Sequence, residues 1–467
     1  MSGHAWIGLD FGSYLTKVAF RVVDVGNTAA QSLDVVGVSA EPWNYNGNWA
    51  TEFPSRVWTN GREIAFVPTV GVGWTEVSGI KLGLLNAWDG NPDPDPLVGL
   101  SFERIATLII ARTLCHTMAA IKKFTVERRW ACPDNYFVSC ATPSSGLLSE
   151  ENRNVLENPN CPRRVQMRNL VESARKFVCD GRFNWNADRL WLPAAERLTK
   201  QIILGEQELD PTKMRTFCYP EAYAAVLASV LHPAFDRDAL LMVFDIGALT
   251  TDAALFFFNP KVARTICFHT IGSTQSGIGP LFLLDQVDGV ALARLHSDLS
   301  AFYCKIWEDI YRDVPQGRTP DIFEARRHNQ PKWKCLLLGG GSANLEVREL
   351  VMELRIPSLR NGGYDRIRPV ARTRFLESPM KPFGWIAFPS QVSTQYCIKT
   401  VARVYPPGRE RKIQDQMNSR LHLNQLAIGL TSDWATIPEY CEIKHPLIPV
   451  DRLGHDYTDQ FAGPEVT

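Results

Sequence analysis

Nothing in this 467-residue sequence pairs its cysteines by spacing. The eleven are scattered, with no Cys-x-x-Cys and no Cys/His cluster at zinc spacing, which argues against both a structural zinc site and a disulfide scaffold. They read as reduced core thiols. Net charge is also missing: Lys and Arg total 50, and so do Asp and Glu. A chain built around a nucleic-acid backbone or an anionic membrane needs a basic surplus, so neither direct nucleic-acid binding nor a membrane partner is expected. No unbroken apolar run approaches the roughly 18–20 residues that span a bilayer. The opening MSGHAWIGLDF has no basic segment followed by an apolar one, so no signal peptide is expected and the expected location is cytoplasmic. What is left, 45% hydrophobic and 21% charged residues, is an ordinary globular composition on a chain long enough for two domains.

The most informative stretch is Leu240–Phe258, LLMVFDIGALTTDAALFFF. A continuous β-rich apolar run, as in a strand buried on both faces, ends at Asp245. Gly247 permits a tight turn, Thr250 and Thr251 add hydroxyls, and a second apolar run leaves from Asp252. A hairpin ending in acid, glycine and hydroxyls suits phosphate together with a hydrated divalent cation. The pattern occurs again in Trp6–Phe20, WIGLDFGSYLTKVAF. Superposed without gaps, Asp10 falls on Asp245, Gly12 on Gly247 and Thr16 on Thr251. Two copies in one register imply a duplicated fold that grips one polyanion from both sides.

These paired loops resemble the first and second phosphate motifs of the actin, sugar-kinase and heat-shock-chaperone ATPase superfamily, and most closely those of DnaK-type chaperones and their divergent bacterial relatives. The resemblance spans roughly Ala5 to Tyr440. It implies an α/β, two-lobed actin-like ATPase fold, each lobe a ribonuclease-H-like mixed sheet with flanking helices and an inserted small subdomain. The first lobe would be residues 1–237 with its small subdomain at roughly 40–128. The second would be 238–467, with a small subdomain at roughly 276–331.

Further motifs follow in the family's order. Phe53-Pro54-Ser55 looks like the strand opening the small subdomain, and Ser78-Gly79-Ile80-Lys81 like the site of an active-site lysine near the γ-phosphate. The aromatics Trp43, Tyr45, Trp49, Phe53, Trp58, Phe66 and Trp74 read as subdomain core, with a partner-facing surface as the alternative. Three prolines make Asn91–Pro96 a loop. Ser101–Lys123 has helical spacing with Ser101 as N-cap, and His116 within it reads as a packed core histidine. Phe137–Pro143 is a buried strand, and Ser144 and Ser145 after it lack the surroundings of a nucleophile. Cys218-Tyr219-Pro220-Glu221 and the small residues after it resemble the first connecting motif, with Ala222 where the family has proline. Gly272 and Gly277 resemble the turn into the second small subdomain. Gly339-Gly340-Gly341-Ser342, between a strand and a helix capped near Ser342, resembles the adenosine motif. Arg420–Leu430 resembles a closing helix packed behind that site. Residues 367–411 carry no motif and suggest an insertion or a partner surface.

The resemblance implies ATP hydrolysis. Asp10 and Asp245 would hold Mg2+ through water. The backbone amides of Gly12, Ser13 and Tyr14 and of Gly247, Ala248 and Leu249 would cradle the phosphates, with Thr16 and Thr250 beside them. Lys81 would stabilise charge on the γ-phosphate and Glu221 would help to place the attacking water. Gly339, Gly340, Gly341, Ser342 and Asn344 would lie against adenosine, so ATP or ADP with Mg2+ is the expected cofactor set. Two departures bear on rate: the second loop has Ala248-Leu249 where the family has glycines, and Asn344 stands where a base-stacking Arg is common. Nucleotide binding is therefore a firmer expectation than efficient turnover. The chain ends where a chaperone's client-binding domain would begin, so the expected function is a chaperone-like nucleotide switch, a slow ATPase acting through a separate protein partner. An actin-like filament former, a sugar-kinase-type enzyme and a binding-only pseudo-ATPase stay open as alternatives.

Overall fold

The computed structural model describes residues 3–24, 35–41, 43–45, 48–142, 162–181, 188–206, 209–210, 213–221, 223–224, 227, 239–258, 265–274, 277, 289–311, 332–352, 385–387, 400–402, 421–431 and 439–442. The chain forms two compact units. Unit 1 takes Met1–Thr142, Asn160–Ser229 and Ser393–Ala435, and unit 2 takes Pro143–Pro159, Val230–Val392 and Thr436–Thr467.

The Asp10 hairpin consists of β1 (Gly3–Phe11) and β2 (Leu15–Asp24), antiparallel with Asp10 opposite Lys17. β3 (Val36–Val38) runs antiparallel beside β2. β4 (Trp43–Tyr45) and β5 (Asn48–Ala50) pair with each other, and β6 (Phe53–Pro54) pairs with the start of β2. A small separate sheet is formed by β7 (Val57–Thr59), β8 (Glu63–Ala65) and β9 (Thr75–Val77). Helices α1 (Ile80–Trp88) and α2 (Phe102–Glu127) follow, then β10 (Pro133–Thr142) parallel to β1. After α3 (Pro162–Cys179), β11 (Arg189–Trp191) joins the small sheet beside β8. α4 (Leu192–Glu206) leads to β12 (Thr216–Pro220), parallel to β10.

The Asp245 hairpin repeats this plan. β13 (Ala239–Ile246), β14 (Thr251–Phe258) and β15 (Thr265–Thr274) are successively antiparallel. After α5 (Gly289–Tyr311), β16 (Lys332–Leu338) lies parallel to β13. A 3-10 turn and α6 (Leu345–Met352) precede β17 (Trp385–Ala387), parallel to β16. The chain then returns to unit 1, where β18 (Thr400–Ala402) runs parallel to β3 and is followed by α7 (Leu421–Leu430). It ends in unit 2 with β19 (Glu439–Glu442) parallel to β15. The sheets are thus ordered β12-β10-β1-β2-β3-β18 and β17-β16-β13-β14-β15-β19. Position for position the relative strand directions agree, so each unit is a mixed α/β structure built on one plan.

Four features depart from the sequence reading. Residues 238–467 do not form one continuous lobe, because Ser393–Ala435 belongs to unit 1. The motif-free region 367–411 supplies an edge strand to each sheet, β17 and β18. The closing helix packs on β1 and β2, and Arg21 Nε donates to Thr431 Oγ1 at 2.9 Å just past its end. The reason is its buried face: Leu426, Ala427, Ile428 and Leu430 are small or aliphatic and cover the first sheet. The small subdomain also draws in β11, beyond the expected 40–128. The stretch 276–331 lies largely outside the described residues, as do Ser144, Ser145 and Ala222.

Ser101 caps α2 as expected, accepting from the Arg104 amide at 3.4 Å. This helix is long and apolar enough to cross a membrane, but 78% of its most apolar window is buried, as in the core helix of a folded unit. It runs through a core with Ile7, Leu9, Phe20, Val138 and Val171. Of the aromatic cluster, Trp43, Phe53, Trp58 and Phe66 are buried. On α3, fully buried Glu172 takes both arms of Arg175 (2.6 and 2.8 Å) and the Thr216 hydroxyl at 2.6 Å, tying the helix to β12. Burial alone would push the Glu172 carboxyl up, but these donors outweigh it and hold it below the ordinary glutamate value.

His116 lies against Phe53, with ring centroids 5.7 Å apart. Burial first, and Arg112 second, lower its pKa from 6.5 to about 4, with Asp188 opposing weakly. A depressed folded value means that folding favours the neutral ring. Its stabilisation is complete above pH 6.5 and is lost as pH falls towards 4. Denaturant unfolding from pH 7 to 4 should therefore show stability falling by up to about 3 kcal/mol through this group. His116→Leu should flatten that slope, and an unchanged slope would exclude His116 as its source.

Candidate functional site

In unit 1 the candidate residues sit on β1, β2, α1 and just past the end of β12. β1 delivers Asp10, the chain turns at Gly12-Ser13-Tyr14, and β2 begins at Leu15. The turn closes by the Gly12 amide donating to the Leu15 carbonyl at 3.1 Å. Asp10 is nearly buried, and Lys17 directly opposite donates to its Oδ2 at 2.7 Å. Thr16 is fully buried and shares a 2.8 Å hydrogen bond with the Ser55 hydroxyl, while the Ser55 amide donates to the Tyr14 carbonyl at 3.0 Å. Arg56 lies over the Tyr14 ring at 4.1 Å and reaches Glu76 at 2.7 Å, so the small sheet is strapped to the loop. Lys81, at the start of α1, is ion-paired with Glu221, which follows the last residue of β12. Both are largely buried. Two residues 140 positions apart, each expected near the reacting phosphate, therefore meet directly.

Unit 2 presents the equivalent turn. The Gly247 amide donates to the Thr250 carbonyl at 2.8 Å, the same closure at the superposed residues. Thr251, like Thr16, is fully buried. Opposite Asp245 stands Asp252 where the first hairpin has Lys17, and Asp252 is nearly buried. The first loop is thus charge-balanced and the second carries two carboxylates on one face of the hairpin. The glycine motif abuts this loop. Gly339 has φ +75°, and a side chain there would run into the Ile246 carbonyl and the Asp245 carboxylate. Gly277 brings its backbone against Ala248 and Leu249.

The amides of Gly12 and Gly247 close their turns by donating to the Leu15 and Thr250 carbonyls. One expectation needs correction. The helix after the glycines is capped by Asn344, whose Oδ1 accepts from the Val347 amide at 3.1 Å. The Ser342 hydroxyl instead donates back to the Gly339 carbonyl at 2.9 Å. Both side chains expected at adenosine therefore serve the backbone. Arg348 reaches back to the Ser342 carbonyl at 2.7 Å. Lys17, Ser55, Arg56 and Arg348 were not singled out by sequence reasoning, whereas Asp252 was read there as the second carboxylate of its hairpin. Lys17 and Asp252 were legible in the hairpin register, since each faces the loop's first acid across the turn.

Among the described residues no group of three or more His, Cys, Asp or Glu could hold a metal ion. The paired Asp245 and Asp252 fit a divalent cation that keeps most of its ligands as water and phosphate, the preference of Mg2+.

No protein-family model and no curated protein matches the chain. The crystal structure of MreB5 of Spiroplasma citri bound to ADP is similar over 73% of this chain and 86% of that one, with 13% identity and a TM-score of 0.30. The class of the fold is carried by the repeated strand order and the repeated turn.

Proposed function

We propose that this chain is an ATP-binding nucleotide switch of the actin-like ATPase class, with slow hydrolysis. The observation that carries the proposal is the doubled turn. In two sheets of the same strand order, an aspartate stands one residue before the end of the first strand, a glycine amide closes the turn on the residue three further on, and a buried threonine lies at the start of the second strand. Each turn supplies a phosphate loop. The Gly339–Gly341 turn beside Asp245 supplies a surface of bare backbone for ribose and base. Mg2+, held through water by Asp245 with Asp252 and by Asp10 once Lys17 turns to phosphate, would neutralise charge on the phosphates. Lys81 is the cation for the terminal phosphate, and Glu221, released from it, would orient water. Ala248 and Leu249 leave the second loop bulkier than a glycine run and hold its backbone back from the terminal phosphate, which slows hydrolysis.

The reading extends to a chaperone-like switch that acts through a separate protein. Val70 and Val72 are fully exposed on the loop between β8 and β9, next to half-buried Trp74, an apolar edge suited to a protein partner. Self-assembly into filaments is the second reading of the same edge, and ATP-dependent pelleting of the purified chain would select it.

Calorimetry with Mg-ATP tests the central proposal. Wild-type protein should bind with micromolar or tighter affinity, and Asp10→Ala with Asp245→Ala should weaken binding by about 100-fold or more, the loss of roughly 3 kcal/mol of charge-assisted interaction. Absence of heat from well-folded wild-type protein would overturn it.

A further inference from the structure

We propose that Cys140 and Cys218 form a reversible dithiol–disulfide site. They are far apart in sequence, yet β10 and β12 place them in direct register as parallel partners. Paired positions on neighbouring strands project their side chains to the same face, with backbones about 4.7–4.9 Å apart. A disulfide needs a Cα separation of about 4.4–6.8 Å, which the spacing of neighbouring strands satisfies. The Cys140 sulfur already leans towards β12, donating to the Phe217 carbonyl at 3.4 Å.

The two thiols are unequal. Cys140 is fully buried and Cys218 is half-buried. The neighbouring Cys218 thiol and then burial push the Cys140 thiol well above its ordinary range, against an opposing pull from Arg168. Cys218 is therefore the sulfur an oxidant reaches, and Cys140 the resolving partner. A peroxide oxidises Cys218 to the sulfenic acid and is itself reduced to an alcohol or water. The Cys140 sulfur then forms the S–S bond as the S–O bond breaks, and hydroxide leaves with the Cys140 proton as water. The pair loses two electrons in all, the two that the peroxide gains, and a small thiol restores both groups by exchange.

Cys218 lies on the strand whose end carries Glu221, so the bridge would fasten that strand to β10 next to the Lys81 ion pair. Disulfide formation itself stands apart from the nucleotide reading and can fail or succeed without it.

The test uses the full chain, exposed to hydrogen peroxide, alkylated, digested without reduction and analysed by mass spectrometry. The expected result is a Cys140–Cys218 peptide pair as the dominant cross-link, lost on treatment with dithiothreitol and absent from Cys218→Ser. In Cys140→Ser the sulfenic acid at Cys218 has no resolving partner, so dimedone labelling there should rise several-fold over wild type. Cys115, Cys132 and Cys179 provide the background level of oxidation in the same digest. The proposal is overturned if wild-type Cys218 is labelled as strongly as in Cys140→Ser with no bridged peptide, or if Cys218 bridges to a different cysteine.

Discussion

Gly8→Val should leave unit 1 unfolded, and Gly8→Ala should already cost about 3 kcal/mol or more. Gly8 sits in the middle of β1, where α7 crosses the sheet. A Cβ at this position would overlap the Ala427 carbonyl oxygen and would lie 2.9 Å from the Thr431 amide nitrogen. Both are backbone atoms, so no rotamer change relieves the overlap. The helix would have to lift away, giving up the burial of Leu426, Ile428 and Leu430 and the Arg21–Thr431 hydrogen bond. Elsewhere a glycine-to-alanine change gains about 0.4–1 kcal/mol by restricting the unfolded chain. Here the steric term decides the sign, and total stabilities of about 5–15 kcal/mol leave little margin for valine. Urea unfolding followed by circular dichroism measures this directly. A Gly8→Ala protein as stable as wild type would mean that α7 does not rest on β1.

Lys81→Met and Glu221→Gln are expected to have the largest effects at the site, and on two separate readouts. Each change alone strands the other charge in a largely buried position, which costs about 3–5 kcal/mol. Combining them removes both charges, so the double variant should be more stable than the sum of the single changes allows, with a coupling of about 1–3 kcal/mol. Additive losses would mean that the ion pair is not formed in solution. The second readout is turnover. If Lys81 passes to the terminal phosphate and Glu221 then orients water, each single variant loses about 100-fold or more in hydrolysis rate while retaining nucleotide binding. The double variant should be as inactive as either single one, because regained stability does not restore the groups. That divergence between stability and activity separates a working pair from a merely structural one.

Much of the local architecture was legible in the residues. The two matching hairpins were found because a tight turn is short-range: an apolar strand, an acid, a glycine at the closure and a threonine at the restart specify it within about seven residues. The Ser101 cap, the loop at Asn91–Pro96 and the strand before Gly339 were legible for the same reason. The position of the second cap was not, because Ser342 and Asn344 are both good caps and the 3-10 turn over Gly340–Ala343 selects between them.

By itself, then, the sequence determined the repeated hairpin, the alternation of strands and helices, and the residue types fit for phosphate. These follow from backbone preference and hydrophobic periodicity, which act over a few residues. Only the tertiary structure decided that Lys81 meets Glu221, that Arg56 straps the small sheet to Tyr14, that Cys140 faces Cys218 and that Leu421–Leu430 returns to the first sheet. Each depends on strand order or helix docking between segments far apart in the chain, which is settled by which apolar faces bury one another. No local pattern carries that information.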